Sequence, residues 1–291
     1  KSYNELYVDY INAVCFDTFE NAARLRLDIQ REAKLNKKFK LISSNFLDVQ
    51  FNKKKVLNQK KDRKFKNFLK NKTLIFFGPA TGKSFYLGND KIIVSPNISN
   101  EVLNLENCKK ISYFNNRRVN YFTSETITKI NQCDYSVVKS ESAYNKLNLK
   151  NNHLRHLDEK NLFLFGSPMM LQVILLDLIN HRPKKIILKN IDLFTKKKLY
   201  RSNYRTEKHV LDIKKRTNIS LRIHDAFSNY FFLKNLYFNF EKIISIDPYL
   251  KEILSLNLLE YGKLIDQNLD KSISLKNEIP TIIRKKNESY N

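Results

Sequence analysis

Residues 73–84 read TLIFFGPATGKS, and this stretch decides the fold. A short apolar run ends abruptly in the turn pair Gly78-Pro79, with none of the three- and four-residue spacing of an amphipathic helix. Runs of the same kind recur downstream as KIIVS (91–95), KISYF (110–114), YSVVK (135–139), LFLFG (162–166), KIILKNI (185–191) and KIISI (242–246). Between them lie helical patterns at 98–106, 124–132, 141–148, 168–181, 226–236 and 249–257. Near-continuous apolar strands alternating with helices predict an α/β, Rossmann-like, doubly wound and mostly parallel sheet.

Working back from residue 73, the pattern changes. At 3–34, Leu6, Ile11, Val14, Phe19, Ala23 and Ile29 recur at mostly helical spacing, which predicts one helical segment. Residues 35–72 (NKKFK, FNKKKV, NQKKDRKFKNFLKNK) are strongly basic with scattered aromatics and read as a partly helical connector or docking surface. The expected organisation is a helical, basic N-terminal extension at 1–72, a Rossmann-like domain at 73–265 and a polar C-terminal tail at 266–291.

Composition removes whole classes of function. The 291 residues hold 53 Lys plus Arg against 29 Asp plus Glu, a formal charge of +24. With 42% hydrophobic and 12% aromatic residues the chain is no disordered polycation. Cys15, Cys108 and Cys133 form no close pair, which argues against a disulfide scaffold or zinc ribbon. The most apolar stretch, 168–179, is broken by Gln172 and Asp177 and is shorter than the roughly 18 apolar residues that mark a membrane span. No secretory leader is read, although the chain opens at Lys1 rather than Met, and the expectation is a reduced, cytoplasmic, soluble protein, which the basic segment 35–72 would hold peripherally on the inner face of the membrane. The charge attracts nucleic acid, anionic headgroups and phosphorylated ligands alike.

In a parallel sheet of this kind ligands sit beyond the carboxyl ends of the strands. After the first strand, Gly78 and Gly82 permit a turn whose N–H groups could cradle a phosphate. A nucleotide-hydrolysing P-loop would need its first glycine at position 77, which is Phe77, and would use Asp192 as its acidic strand end. Asn97 ends the second strand, as a helix cap or a ligand contact, and Asn115 ends the third. Ser167-Pro168 opens an apolar helix, a standard start that also exposes N–H groups to an anion. Asp192 ends a further strand, the basic loop 196–205 carries Tyr200 and Tyr204, and His224 precedes a helix where an imidazole suits proton transfer near neutral pH.

The order of these features resembles the bacterial sialyltransferases of glycosyltransferase family 42 and, more loosely, the wider group of CMP-ulosonic acid transferases that includes Kdo transferases. The resemblance spans residues 73–257 in short patches: Gly78-Pro79, Asn97, Asn115, Ser167, Ile191-Asp192, Tyr200 and His224. It implies a CMP-activated sugar as donor, a saccharide or glycolipid acceptor and no metal or resident cofactor. Gly78, Pro79 and Ser167 would approach the CMP, and Asn97 and Asn115 the nucleotide or sugar. Tyr200 would hydrogen-bond the departing phosphate and His224 would act as general base. Two positions depart from the family pattern. Phe77 replaces an asparagine, and Phe194 replaces a second phosphate-binding tyrosine, a role that Tyr204 or the basic loop would have to fill.

The expected function is therefore transfer of an acidic ulosonic sugar in surface polysaccharide or lipopolysaccharide synthesis, with 35–72 docking on anionic lipid. One alternative is a retaining Kdo transferase with Asp192 as nucleophile. The others are a P-loop-like nucleotide-binding protein and a nucleic-acid-binding module, the last without a recognised binding signature.

Overall fold

The computed structural model describes residues 3–35, 62–80, 91–114, 124–139, 141–147, 153–157, 168–196 and 213–269. Among them, seven strands form one sheet. They are β1 (Thr73–Phe77), β2 (Lys91–Pro96), β3 (Lys109–Phe114), β4 (Tyr135–Val138), β5 (Leu154–His156), β6 (Lys185–Lys189) and β7 (Ile244–Ser245). The spatial order is 5-4-3-2-1-6-7 and every neighbouring pair is parallel, with Phe76 of β1 in register between Val94 and Leu188.

The helices are α1 (Tyr3–Phe16), α2 (Phe19–Leu35), α3 (Arg63–Leu69), α4 (Asn100–Leu103), α5 (Ser124–Asn131), α6 (Glu141–Leu147), α7 (Met170–Asn180), α8 (Ile213–Ile223), α9 (Ala226–Asn239), α10 (Pro248–Ser255) and α11 (Leu258–Asn268). Alternation along the strands sends Leu74, Phe76, Ile92, Val94, Ile111 and Tyr113 to one face. There they meet α1, α2, α3, α7 and α9 to α11 in the main core. Phe77, Ile93, Phe114 and Val138 point the other way, to a smaller core with Val102 of α4, Ile130 of α5 and Leu147 of α6. A sheet covered on both faces explains why its strands read as unbroken apolar runs rather than alternating ones.

The segment 3–34 is two helices, not one. Asp17 breaks it, its carboxylate accepting from Thr18 N–H at 2.7 Å. The start of α2 is then capped from the far end of the chain, because the Asp266 carboxylate accepts from Phe19 N–H (2.9 Å) and Glu20 N–H (2.8 Å). Gly262 makes the approach possible: a Cβ there would lie 2.7 Å from the Phe19 carbonyl oxygen. The expected strand 162–166 lies outside the described residues. β5 was not legible, being three residues long with only Arg155 buried.

A buried polar strut joins α3 and α7 to the sheet. Asp177 of α7 accepts from Tyr113 OH (2.5 Å) and from Arg155 of β5 (2.9 and 3.4 Å). Arg155 also reaches Asp62 at 3.1 Å and lies 3.9 Å from the Phe65 ring centroid. Asp62 in turn caps α3 through Lys64 N–H at 2.9 Å. Phe65 and Leu69 are buried, so the last part of the basic stretch is seated in the core. No helix among the described residues is long and apolar enough to cross a membrane.

Candidate active site

The chain runs from β1 outward to β5, then returns to place β6 on the other side of β1. The strand order therefore reverses between β1 and β6, where a doubly wound sheet opens its ligand crevice. The two strand ends there are 78–80 and 190–196.

Gly78 and Ala80 carry the pairing past the end of β1. Gly78 N–H donates to the Lys189 carbonyl at 2.9 Å and Ala80 N–H to the Asn190 carbonyl at 3.1 Å. A Cβ on residue 78 would collide with the Asn190 carbonyl oxygen and come within 2.8 Å of Ile191 Cγ1. Glycine is needed at this position for close approach between two loops, and Pro79 follows it half-buried.

The β6 exit is unusual. Asn190, Leu193 and Phe194 all have positive φ (54°, 49° and 66°), a conformation costing on the order of 1–3 kcal/mol at a bulky side chain. Several contacts hold the turn. Tyr261 OH donates to the Leu193 carbonyl (3.2 Å), and Asn268 Nδ2 donates to the Thr195 carbonyl (2.8 Å). The Thr195 hydroxyl bonds the Asp192 carbonyl and lies 2.8 Å from Tyr249 OH, whose ring is covered by the Lys196 ammonium at 4.1 Å.

Asp192 sits inside this turn, 6% exposed. Its Oδ1 accepts from Phe194 N–H at 3.0 Å, while Oδ2 is buried with no hydrogen-bond partner among the described residues. Burial pushes the carboxyl up from 3.8 to about 6, and the Phe194 N–H and the Lys196 charge only partly oppose it. A buried acceptor without a donor is costly in a finished interior and useful where a ligand brings the donor.

Because the folded carboxyl holds its proton more tightly than the unfolded one, Asp192 favours folding below about pH 4 and loses that contribution as pH rises towards 6. The difference amounts to roughly 3 kcal/mol at 1.36 kcal/mol per unit. Asp192→Asn, which keeps the Phe194 contact, should therefore be the more stable protein at pH 7.5 and lose that gain near pH 4. Urea unfolding of both proteins at the two pH values measures it, and equal stability at pH 7.5 would remove the case for a functional buried carboxyl.

Asn97 ends β2 in the left-handed region (φ 47°) and its N–H donates to the Tyr113 carbonyl at 2.8 Å. The cap of α4 is Ser99, whose Oγ accepts from Val102 N–H at 3.4 Å, so Asn97 is not the helix cap.

His224 lies in the turn between α8 and α9, with its N–H on the Ser220 carbonyl at 3.1 Å. Its own carbonyl accepts from Asn229 Nδ2, and Asn229 Oδ1 accepts from Met169 N–H at 2.7 Å, just before α7. α7 ends at the amino edge of the sheet, where Lys184 N–H reaches the Lys72 carbonyl at 3.0 Å. A helix of 11 residues is about 16 Å long, so its start is carried back to the carboxyl edge. Asn229 thus ties the His224 turn to the edge that holds Gly78 and Asp192.

The structure packs the Gly78-Pro79 turn against Asn190 and Ile191, next to Asp192 in the chain, so these residues share the carboxyl ends of β1 and β6, with Asn97 one strand further along. Gly82, Asn115, Ser167, Tyr200 and Tyr204 lie outside the described residues. Thr195, Tyr249 and Asn229 escape a reading of the sequence alone. The Asp247-Pro248 helix start marks Tyr249 as a strand-end residue, but nothing in the sequence joins it to residue 195. Among the described residues there is no group of three or more His, Cys, Asp or Glu that could hold a metal ion.

No protein-family model and no curated sequence matches the chain. Among solved structures it is similar to the sialyltransferase CST-II in complex with a trisaccharide acceptor and CMP, at 14% identity and a TM-score of 0.38, over 64% of this chain and 86% of that one.

Proposed function

We propose that the protein is a glycosyltransferase that moves an acidic ulosonic sugar, of the sialic acid or Kdo type, from a CMP donor to a saccharide acceptor. The observation that carries the reading is Asp192: a buried carboxyl with one oxygen unpartnered among the described residues, on a strained turn, at the reversal of strand order and next in the chain to Asn190 and Ile191, which pack against Gly78. Such a place suits a hydroxyl-bearing, nucleotide-linked ligand, and the +24 charge favours a polyanionic one.

In this reading Gly78, Pro79, Asn97, Asn115 and Ser167 form the CMP-sugar site, and Tyr200 donates to the phosphate as charge gathers there. The bond from the anomeric carbon to phosphate oxygen breaks and CMP leaves. The acceptor hydroxyl forms the new bond, and its proton passes to His224. No metal or resident cofactor enters the proposal. The basic segment 35–72, through residues other than the buried Phe65 and Leu69, would dock on anionic lipid at the inner membrane face, near a lipid-linked acceptor.

A second reading is favoured by the same Asp192 oxygen. Ionised Asp192 would attack the anomeric carbon, release CMP with a proton from His224 and hold the sugar as an ester until the acceptor displaces it with net retention.

Thermal shift with nucleotides tests the common premise. CMP at a hundred times its dissociation constant should add about 2.7 kcal/mol of stability, whereas ATP with magnesium should add nothing. A shift with ATP and magnesium alone would restore the P-loop reading. Salt-sensitive binding of random duplex DNA without any nucleotide response would favour a nucleic-acid module.

A further inference from the structure

The turn that carries His224 is gripped on both sides by the N-terminal helices. Before it, Arg222 Nη1 donates to the carbonyls of Val14 (2.9 Å) and Asp17 (2.8 Å), closing the end of α1, while its guanidinium lies 4.9 Å from the Phe19 ring centroid. Arg222 Nε is held by Asn218 Oδ1 at 2.7 Å.

After the turn, Asp225 is buried and has φ 50°. Its Oδ1 accepts from Tyr10 OH at 2.8 Å and from Phe227 and Ser228 N–H, both at 3.2 Å. Its Oδ2 accepts from Ser228 Oγ at 2.6 Å and from Arg26 Nη1 at 3.3 Å. Arg26 Nη1 also donates to Tyr10 OH at 2.7 Å.

A left-handed conformation at a non-glycine residue persists only where its surroundings over-determine it. Here the surroundings include Tyr10 of α1 and Arg26 of α2. If Asp225 relaxed to negative φ, the bond joining the His224 peptide to α9 would rotate, and the imidazole would turn relative to Asn229 and the start of α7.

We propose that the N-terminal helix pair is a positioning element for His224, acting through the Arg222 grip on α1 and the Tyr10–Arg26–Asp225 cluster. The inference rests on the reading of His224 as the acid/base. Helices predicted as an extension then form part of the machinery that aims the proton acceptor.

The test uses the full chain with Tyr10→Phe, which removes one buried hydroxyl, and Arg222→Gln, with Arg222→Lys as the conservative rescue. Transfer from a CMP-sugar should lose about 10- to 100-fold in kcat, with KM for the donor within about twofold, as expected when a reacting group is misplaced by about 1 Å. Arg222→Lys should recover part of the loss.

In protein carrying ¹⁵N-labelled histidine, of which there are five, the His224 imidazole signals should move in Tyr10→Phe and Arg222→Gln and return towards wild type in Arg222→Lys. Folded variants with wild-type kcat and unmoved His224 signals overturn the proposal. If the wild type transfers no sugar from any CMP donor, the functional reading fails, and the histidine spectra alone then support or overturn the positioning. If Arg222→Gln does not fold, Tyr10→Phe alone decides between the two outcomes.

Discussion

His224→Ala is expected to reduce turnover with a CMP-sugar donor by about 10²- to 10⁴-fold, the range supplied by a positioned acid or base. At 1.36 kcal/mol per tenfold this is about 3–5 kcal/mol of barrier. CMP should still raise the melting temperature as it does in the wild type, because the proposed contacts of His224 are to the acceptor hydroxyl rather than to the nucleotide. The fold should survive: His224 is half-buried, and its hydrogen bonds to Ser220 and Asn229 use backbone atoms that alanine keeps. The measurement is kcat and KM for the donor beside a CMP thermal shift on the same preparation. Undiminished turnover would sink the assignment of residue 224. Loss of both turnover and CMP response would relocate it to the nucleotide.

Asp225→Ala should be far more damaging to folding than its neighbour's replacement. The Arg26 guanidinium is 0% exposed and Asp225 1% exposed, at 3.3 Å. Arginine cannot discharge itself by losing a proton, so deleting the carboxylate leaves a buried cation without this counter-charge. Losing one partner of such a pair costs about 3–5 kcal/mol. The two cap bonds to Phe227 and Ser228 N–H contribute about 1 kcal/mol more, and alanine fits the φ of 50° worse than aspartate does. Asp225→Asn keeps an acceptor for the cap and tolerates the left-handed region, so it should lose clearly less. Urea unfolding of the three proteins orders them, and an alanine variant as stable as the asparagine one would contradict this account.

The sheet was legible because strands covered on both faces carry unbroken apolar runs, so TLIFF, KIIVS, KISYF and YSVVK declare themselves without alternation. The same rule fails for β5, where Arg155 is buried only because Asp177 and Asp62 neutralise it, a pairing that joins residues 93 apart in sequence. Local spacing also hid the break at Asp17, since apolar residues continue at helical intervals across it. The cap that starts the second helix comes from Asp266. At the site, Gly78 and Asp192 could be read as strand ends. The orphaned oxygen of Asp192 could not, because it depends on how Leu193 and Phe194 are bent by Tyr261 and Asn268 of α11. Asp225 had no signal beyond its position before a helix, yet together with Ser228 it fastens the first two helices to α9.

The capping of α2 by Asp266 has a consequence for biosynthesis. Helices made first must wait for the segment 258–268 before the N–H groups of Phe19 and Glu20 find their acceptor, a separation of 247 and 246 residues. At a ribosomal pace of roughly 5–20 residues per second, that interval is on the order of 10–50 s. During it α2 lacks α11, the helix it packs against in the finished fold. Nascent chains arrested before α11 should therefore be cut readily by protease between α1 and α2, whereas released full-length protein should resist.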